Sequence, residues 1–376
     1  MKITKIAAAS AAALSALVLT LGTAGAAQAA EVEIYGRADT GLLYTHVKGG
    51  DDTLEMKNGR STPRFGFNIK EDIAPGWKVK GYLENGYQLD SGNMGTTGKL
   101  FDRRAILAVS APWGEVGAGR AGTVQSTVAP YSMGLLRWDP FATSYGNASI
   151  ASTFLNTGRV NNGLHFKSAK FGGGFSVGAS YSLGDEDDDA VGWSEKSHTL
   201  ALAGNYQSKD LMLGLTFANI DAKNAGEASK ADARMYQAGG WWAATPALKL
   251  FAAAGYQTNG ATGGKLSSTK LGLSKKTGLG GFTGESALLG AMYTLGANKL
   301  IADVQHFSGK LDRASDVKFH RTVVAGAWEY WFSKRTIAYL AASWSMTSGK
   351  AEDLARKAGG YDLEATQVYC GIDHHF

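Results

Sequence analysis

The chain has 376 residues, with 50 Gly, only 6 Pro, 9 Trp, 15 Tyr, 15 Phe and a single Cys. A formal charge of +5 with no Lys/Arg run argues against a nucleic-acid-binding protein. One cysteine excludes an internal disulfide framework, and a composition rich in Gly and aromatics but poor in Pro points to many strands joined by turns.

The N-terminus sets the compartment. Lys2 and Lys5 precede a small-residue apolar stretch from Ile6 to Leu21, and Ala27-Gln28-Ala29 supplies a small-x-small cleavage pattern. This reads as a secretory signal peptide, 1–29, rather than a membrane anchor, because the stretch is short and Ala-rich. The mature domain is then 30–376, with a formal charge of +3 (36 basic against 33 acidic residues). No later segment approaches the ~18 consecutive apolar residues of a spanning helix.

Alternation begins at once. Val32, Ile34, Gly36, Ala38 and Leu42 share one face, and Glu33, Tyr35, Arg37 and Asp39 the other. Period two with one apolar face is a strand, here long enough to cross a bilayer obliquely. In the second strand Phe65, Phe67 and Ile69 oppose Arg64, Asn68 and Lys70. Ala74-Pro75-Gly76 is a tight turn, and in the third strand Trp77, Val79, Gly81 and Leu83 oppose Lys78, Lys80, Tyr82 and Glu84. The pattern predicts further strands near 100–111, 115–121, 159–169, 174–184, 196–207, 211–222, 232–244, 248–259, 284–295, 299–308, 320–333, 336–348 and 363–376, sixteen in all. Short turns, such as Pro112-Trp113-Gly114 and Thr245-Pro246-Ala247, alternate with long loops, the longest being 122–158. The expected fold is all-β: a 16-stranded antiparallel transmembrane β-barrel. An unpaired backbone group in hydrocarbon costs several kcal/mol, so the sheet must close, and Phe376 is expected to pair near Val32. A soluble sandwich or propeller fits less well, since no blade-length repeat is visible and aromatic clusters such as Trp241-Trp242 and Trp328–Phe332 fall at strand ends.

In this order the motifs resemble the Gram-negative general porins. They are Ile34-Tyr35-Gly36-Arg37-Ala38-Asp39-Thr40-Gly41-Leu42, the run from Arg64 to Ile73, Leu100-Phe101-Asp102-Arg103-Arg104-Ala105, Gly114-Glu115-Val116 with Gly119-Arg120, Arg159-Val160-Asn161-Asn162 and the terminal Gly371–Phe376. The resemblance implies a homotrimer of 16-stranded barrels in the Gram-negative outer membrane, in contact with lipid and lipopolysaccharide. It also implies a third loop, here 122–158, folded inward to narrow a water-filled channel for small hydrophilic solutes and anions. It places Arg37, Arg64, Arg104 and Arg159 on a basic wall, with Asp139 the one acid of the loop opposite; the alternation independently puts Arg37 and Arg64 on the wet face. Rings of Arg favour anions, so passive, anion-preferring diffusion is expected. The competing account is selectivity set by lumen acids such as Asp39, Glu84 and Asp102.

Other signals carry less. Gly117–Gly122 matches G-x-G-x-x-G but ends a strand, where a dinucleotide site needs the opening of a helix. Asp185–Asp189 is an acidic outward loop. His374 and His375 are adjacent on a strand and point to opposite faces, so no shared metal is expected, and no cofactor. Cys370 reads as a strand-packing residue. No Ser, His and acid share a face as a hydrolase requires, so the chain is not expected to be an enzyme. A substrate-specific channel is the alternative, although the inward residues lack an aromatic slide.

Overall fold

The computed structural model describes residues 30–184, 196–221, 231–260, 281–312, 315–350 and 364–376. The expected signal segment 1–29 and the acidic run Asp185–Asp189 lie outside the described residues. The strands are β1 Glu31–Val47, β2 Thr53–Met56, β3 Arg64–Ala74, β4 Trp77–Gly86, β5 Arg104–Ala111, β6 Gly114–Gly122, β7 Arg159–Ser168, β8 Phe175–Ser182 and β9 Thr199–Gln207. They continue as β10 Leu211–Ile220, β11 Ala233–Ala243, β12 Leu248–Thr258, β13 Phe282–Leu295, β14 Asn298–Leu311, β15 Lys318–Trp331, β16 Thr336–Gly349 and β17 Glu364–His375. Each pairs antiparallel with its neighbours, and β17 returns to β1, closing a 16-strand barrel.

The extra strand, β2, lies in the connection read as a loop at 48–60. It pairs with the loop end of β1, from Leu42↔Met56 to Thr45↔Thr53, while β3 takes the turn end, from Glu31↔Lys70 to Arg37↔Arg64. Residues 57–63 between them leave the ladder, and Arg60 there pairs with Glu329 and Asp373 on lumen-facing positions of β15 and β17. The seam also departs from expectation. Phe376 exchanges backbone hydrogen bonds with Gly36 (3.0 and 3.1 Å), not with the chain near Val32. The reason is geometric: closing a barrel of tilted strands requires a stagger, so the start of β1 overhangs the end of β17.

The two faces separate as period-two patterning requires. Outward, Ile34, Leu107, Leu215 and Leu289 are each more than three-fifths exposed. Cys370 is exposed among them, paired with Leu42 and Leu340. Inward, Asn205, Thr216, Gln237, Gln257, Gln305, Ser343 and Ser345 are buried polar groups. His374 is exposed, while His375 turns inward with Nε2 3.3 Å from Asp373. Gly117–Gly122 lies within strand β6 and does not open a helix; the next helical turn is Leu135–Trp138. At the short-turn ends, Trp113, Trp242, Tyr293, Trp328 and Phe332 are all exposed, in the position of an interfacial aromatic girdle.

Candidate pore lining

Two walls define the lumen. The first is built by the connection 123–158, which lies along the inner face of β8–β17. Its contacts follow the strands in turn. Ser180 Oγ of β8 accepts from Val124 N (3.1 Å), Asn205 of β9 donates to Met133 O (2.8 Å), and Gln125 donates to Gln237 of β11 (2.7 Å). Gln257 of β12 accepts from Leu155 N (3.1 Å), Gln305 of β14 donates to Ala148 O (2.7 Å), and Tyr145 donates to Glu329 of β15 (2.9 Å). The loop thus supplies hydrogen-bond partners to the wall's buried amides, although Asn205 Oδ1 is left without one among the described residues.

Glycines let the loop lie this close. A Cβ on Gly178 would stand 2.5 Å from Met133 Sδ, one on Gly239 2.7 Å from the Trp138 ring, and one on Gly290 2.8 Å from Pro140. These inward positions on β8, β11 and β13 form a trough that Met133, Trp138 and Pro140 fill. Leu135, Trp138, Ile150 and Phe154 are fully buried against Met212, Phe251 and Leu288 of the wall. Short helical turns at Leu135–Trp138, Gly146–Ala148 and Ile150–Ser152 stiffen the segment.

Asp139 organises this loop. It is 3% exposed, and its carboxylate accepts from the N–H groups of Phe141 (2.9 Å), Thr143 (2.9 Å) and Ile150 (3.0 Å). The sequence reading made Asp139 the acid facing the basic wall. Its bonds instead turn it into the loop, because three backbone donors in a turn without other acceptors capture the nearest carboxylate.

The second wall is basic. The register sets Arg37 directly opposite Arg64. Arg64 pairs with Gly86, and Glu84, two residues along, pairs with Arg104. Ala105 pairs with Arg120, and Gly122 with Arg159. The four arginines expected from the motifs therefore lie at one level across β1, β3, β5 and β7. Arg60 and Arg103 from the connecting loops and Arg120 from β6 join them. Sequence reasoning did not assign these three, although Arg103 adjoins Arg104 and Arg120 stands in a quoted motif.

Their charges are not equally available. Arg37 pairs with Asp373 (Nε–Oδ1 2.8 Å), and Arg60 with Asp373 (2.7 Å) and Glu329 (2.8 Å). Glu84 takes both Arg103 (2.8 Å) and Arg104 (2.6 Å). Arg64 instead donates to Thr62 O (3.0 Å) and to Ser61 Oγ, Arg120 to Asp102 O (2.7 Å) and Asn161 (2.5 Å), and Arg159 to Arg103 O (3.0 Å). Among the described residues these three guanidiniums make no ion pair. The three acids of the competing account, Asp39, Glu84 and Asp102, are all engaged. Asp39 is fully buried and accepts from Tyr339 (2.7 Å) and from Ser61 N, while Asp102 accepts from Gly86 N (2.7 Å) and Thr96 (3.0 Å).

The sequence profile of the Gram-negative porins matches residues 11–350. An outer membrane porin protein of Bordetella pertussis is 30% identical over 381 aligned positions, covering 92% of this chain and 94% of that protein. Outer membrane porin protein 32 of Delftia acidovorans is 30% identical over 43% of this chain and 48% of its own length. Among solved structures, an anion-selective porin from Comamonas acidovorans superposes with a TM-score of 0.70 at 22% identity, covering 93% of this chain and 100% of that one. OmpF of Salmonella typhi, solved with daunomycin, gives 0.59 at 15% identity over 92% and 97%. The chain belongs to the Gram-negative porin family, and it is a porin of the outer membrane, a barrel channel for passive diffusion.

Proposed function

We propose that this porin prefers anions, and that the preference arises where the loop 123–158 narrows the lumen against the arginine wall. The observation that carries the reading is the set of three guanidiniums that make no ion pair among the described residues, Arg64 on β3, Arg120 on β6 and Arg159 on β7. Low-dielectric walls concentrate the field of such a cluster and raise the local anion concentration. Arg37, Arg104, Arg103 and Arg60 supply further positive charge, partly cancelled by Glu84, Asp373 and Glu329. Asp139, spent on backbone N–H groups, gives little opposition. The reading includes a homotrimer without enzymatic activity, exported by cleavage of residues 1–29 and surrounded by outer-membrane lipid and lipopolysaccharide. Permeants are small hydrophilic solutes, with anions favoured.

The test is the zero-current potential of the purified protein in a planar bilayer under a KCl gradient. A chloride-selective potential that falls in Arg64→Ala and Arg159→Ala supports the reading. A cation-selective potential in the unmodified protein refutes it.

A further inference from the structure

The mouth at the short-turn end of the barrel carries a second set of cations, and their pairing is lopsided. On the β1–β6 side each lysine has an acid: Lys70 with Glu31 (3.4 Å), Lys78 with Asp72 (2.6 Å) and Lys80 with Glu115 (2.8 Å). On the opposite side, beneath the inward loop, the balance breaks. Lys249 is the second residue of β12 and Lys299 the second of β14, both just past short turns and both on the inward parity shared with Phe251 and Ile301. Lys249 makes no ion pair among the described residues, and its ammonium sits 4.0 Å from the centroid of the Trp241 ring. Lys299 sits 4.3 Å from the centroid of Trp331 and shares one carboxylate, Glu329 (3.4 Å), with Arg60 (2.8 Å).

Two further cations complete the half-ring. Lys167, the penultimate residue of β7, points inward on the parity of His165 and makes no ion pair among the described residues. Among the described residues Arg137, exposed on the inward loop, donates only to Ser132 O (3.2 Å). The acids facing this region are Glu329, already shared by two cations, Glu115, already held by Lys80, and Asp303, buried four residues along β14 from Lys299 and accepting from Gln305 (2.8 Å).

An ammonium over an indole face is held in place by the ring quadrupole without losing its net charge. Trp241 and Trp331 therefore fix where these two charges stand while leaving them to act on whatever passes. Trp241 itself packs against the Trp138–Phe154 cluster, so the lysine platform is continuous with the underside of the loop. Short turns of such barrels face the periplasm.

We propose that Lys249 and Lys299, with Lys167 and Arg137, form a second anion station in the periplasmic vestibule, at the short-turn end of the lumen below the level of the arginines. Its ligands are small inorganic oxyanions, halides and short carboxylates, held by ammonium groups rather than by guanidinium forks. It draws anions toward the pore from the periplasmic side and makes conduction direction-dependent. The proposal rests on the anion-preferring reading above.

The test uses the purified full-length mature protein, inserted into a planar bilayer from one side. Orientation is assigned by protease cleavage of the long loops from one chamber. The Lys249→Gln/Lys299→Gln double variant is compared with the unmodified protein and with Lys310→Gln, which removes a charge from the exposed outer face. In roughly 0.01 M KCl or potassium phosphate the screening length is ~30 Å, and in 1 M salt about 3 Å. At low salt the double variant should lose about half of its current, only at the polarity that drives anions in from the periplasmic mouth. At high salt it should match the unmodified protein, and Lys310→Gln should match it in both. An equal loss at both polarities, or no loss at low salt in a variant that keeps its heat-modifiable mobility, overturns the station. A cation-selective unmodified channel would instead overturn the arginine reading, and the polarity dependence still judges the lysines separately.

Discussion

Replacing Asp139 by Ala should release the inward loop while leaving the barrel intact. The turn that Asp139 closes contains three non-glycine residues in the left-handed region, Ala142 (φ 49°), Thr143 (φ 66°) and Tyr145 (φ 55°). At roughly 1–2 kcal/mol each, their strain sums to about 3–6 kcal/mol. Against it stand three hydrogen bonds to an ionised carboxylate, from Phe141, Thr143 and Ile150, worth about 1.5–3 kcal/mol each. The two sums are of the same size, so this side chain offsets the strain of the turn, which Tyr145 and Ser144 further tie to Glu329, Gly59 and Arg60. Alanine removes both acceptor oxygens and leaves three donors at a buried position. Asn keeps one oxygen without the charge and should fall between. The barrel ladder involves none of these atoms, so the heat-modifiable shift on a gel and the urea midpoint in lipid should not move. Single-channel recordings should show a larger, noisier conductance and an anion preference reduced toward neutrality. If Asp139→Ala folds and conducts like the unmodified protein, Asp139 does not hold the loop. If the barrel itself fails to form, the loop is not an independent element, and the separation argued here is wrong.

Glu84→Gln removes the carboxylate shared by Arg103 and Arg104. It should raise the chloride-selective zero-current potential, the opposite sign to Arg64→Ala, and cost about 3–5 kcal/mol of unfolding free energy, read as a lower urea midpoint, because it leaves buried charges unpaired. A Cβ at Gly41 would clash with Cys370 O across the β1–β17 seam. Gly41→Val should therefore lower the temperature at which the folded band is lost on a gel, whereas Gly204→Val, with no neighbour within 4 Å of the added carbon, should not. Leu215 is 66% exposed in the middle of β10; Leu215→Arg should destabilise the barrel by roughly 2–4 kcal/mol in lipid-vesicle unfolding. No change would mean that this face does not meet the hydrocarbon.

Much of the architecture is legible one strand at a time. The alternation in Val32–Leu42 and in Arg64–Lys70 places Ile34 and Phe65 outside and Arg37 and Arg64 inside, and the turn chemistry of Ala74-Pro75-Gly76 ends β3 where the chain reverses. These signals are local: side-chain parity depends only on a two-residue period, and a tight turn only on the few residues within it. Sixteen such segments in lipid leave closure as the remaining way to pair every backbone group. The length and low charge of 122–158 likewise mark an unusual connection before any contact is known.

What tertiary structure decides is which distant groups meet. The stagger that sets Phe376 against Gly36 depends on the tilt of all the strands together. The four-residue β2 is too short to announce itself, and it forms because β1 extends past β3 and offers free backbone groups. The motifs name Arg37, Arg64, Arg104 and Arg159 as equals, yet Asp373 and Glu84, 336 and 20 residues away from Arg37 and Arg104, leave only Arg64 and Arg159 of that set uncommitted. Asp139 looks like an acid for the pore until three backbone donors are found around it. Charge is written in the sequence residue by residue, but whether it is free to act on a passing ion depends on partners that only the closed barrel brings within reach.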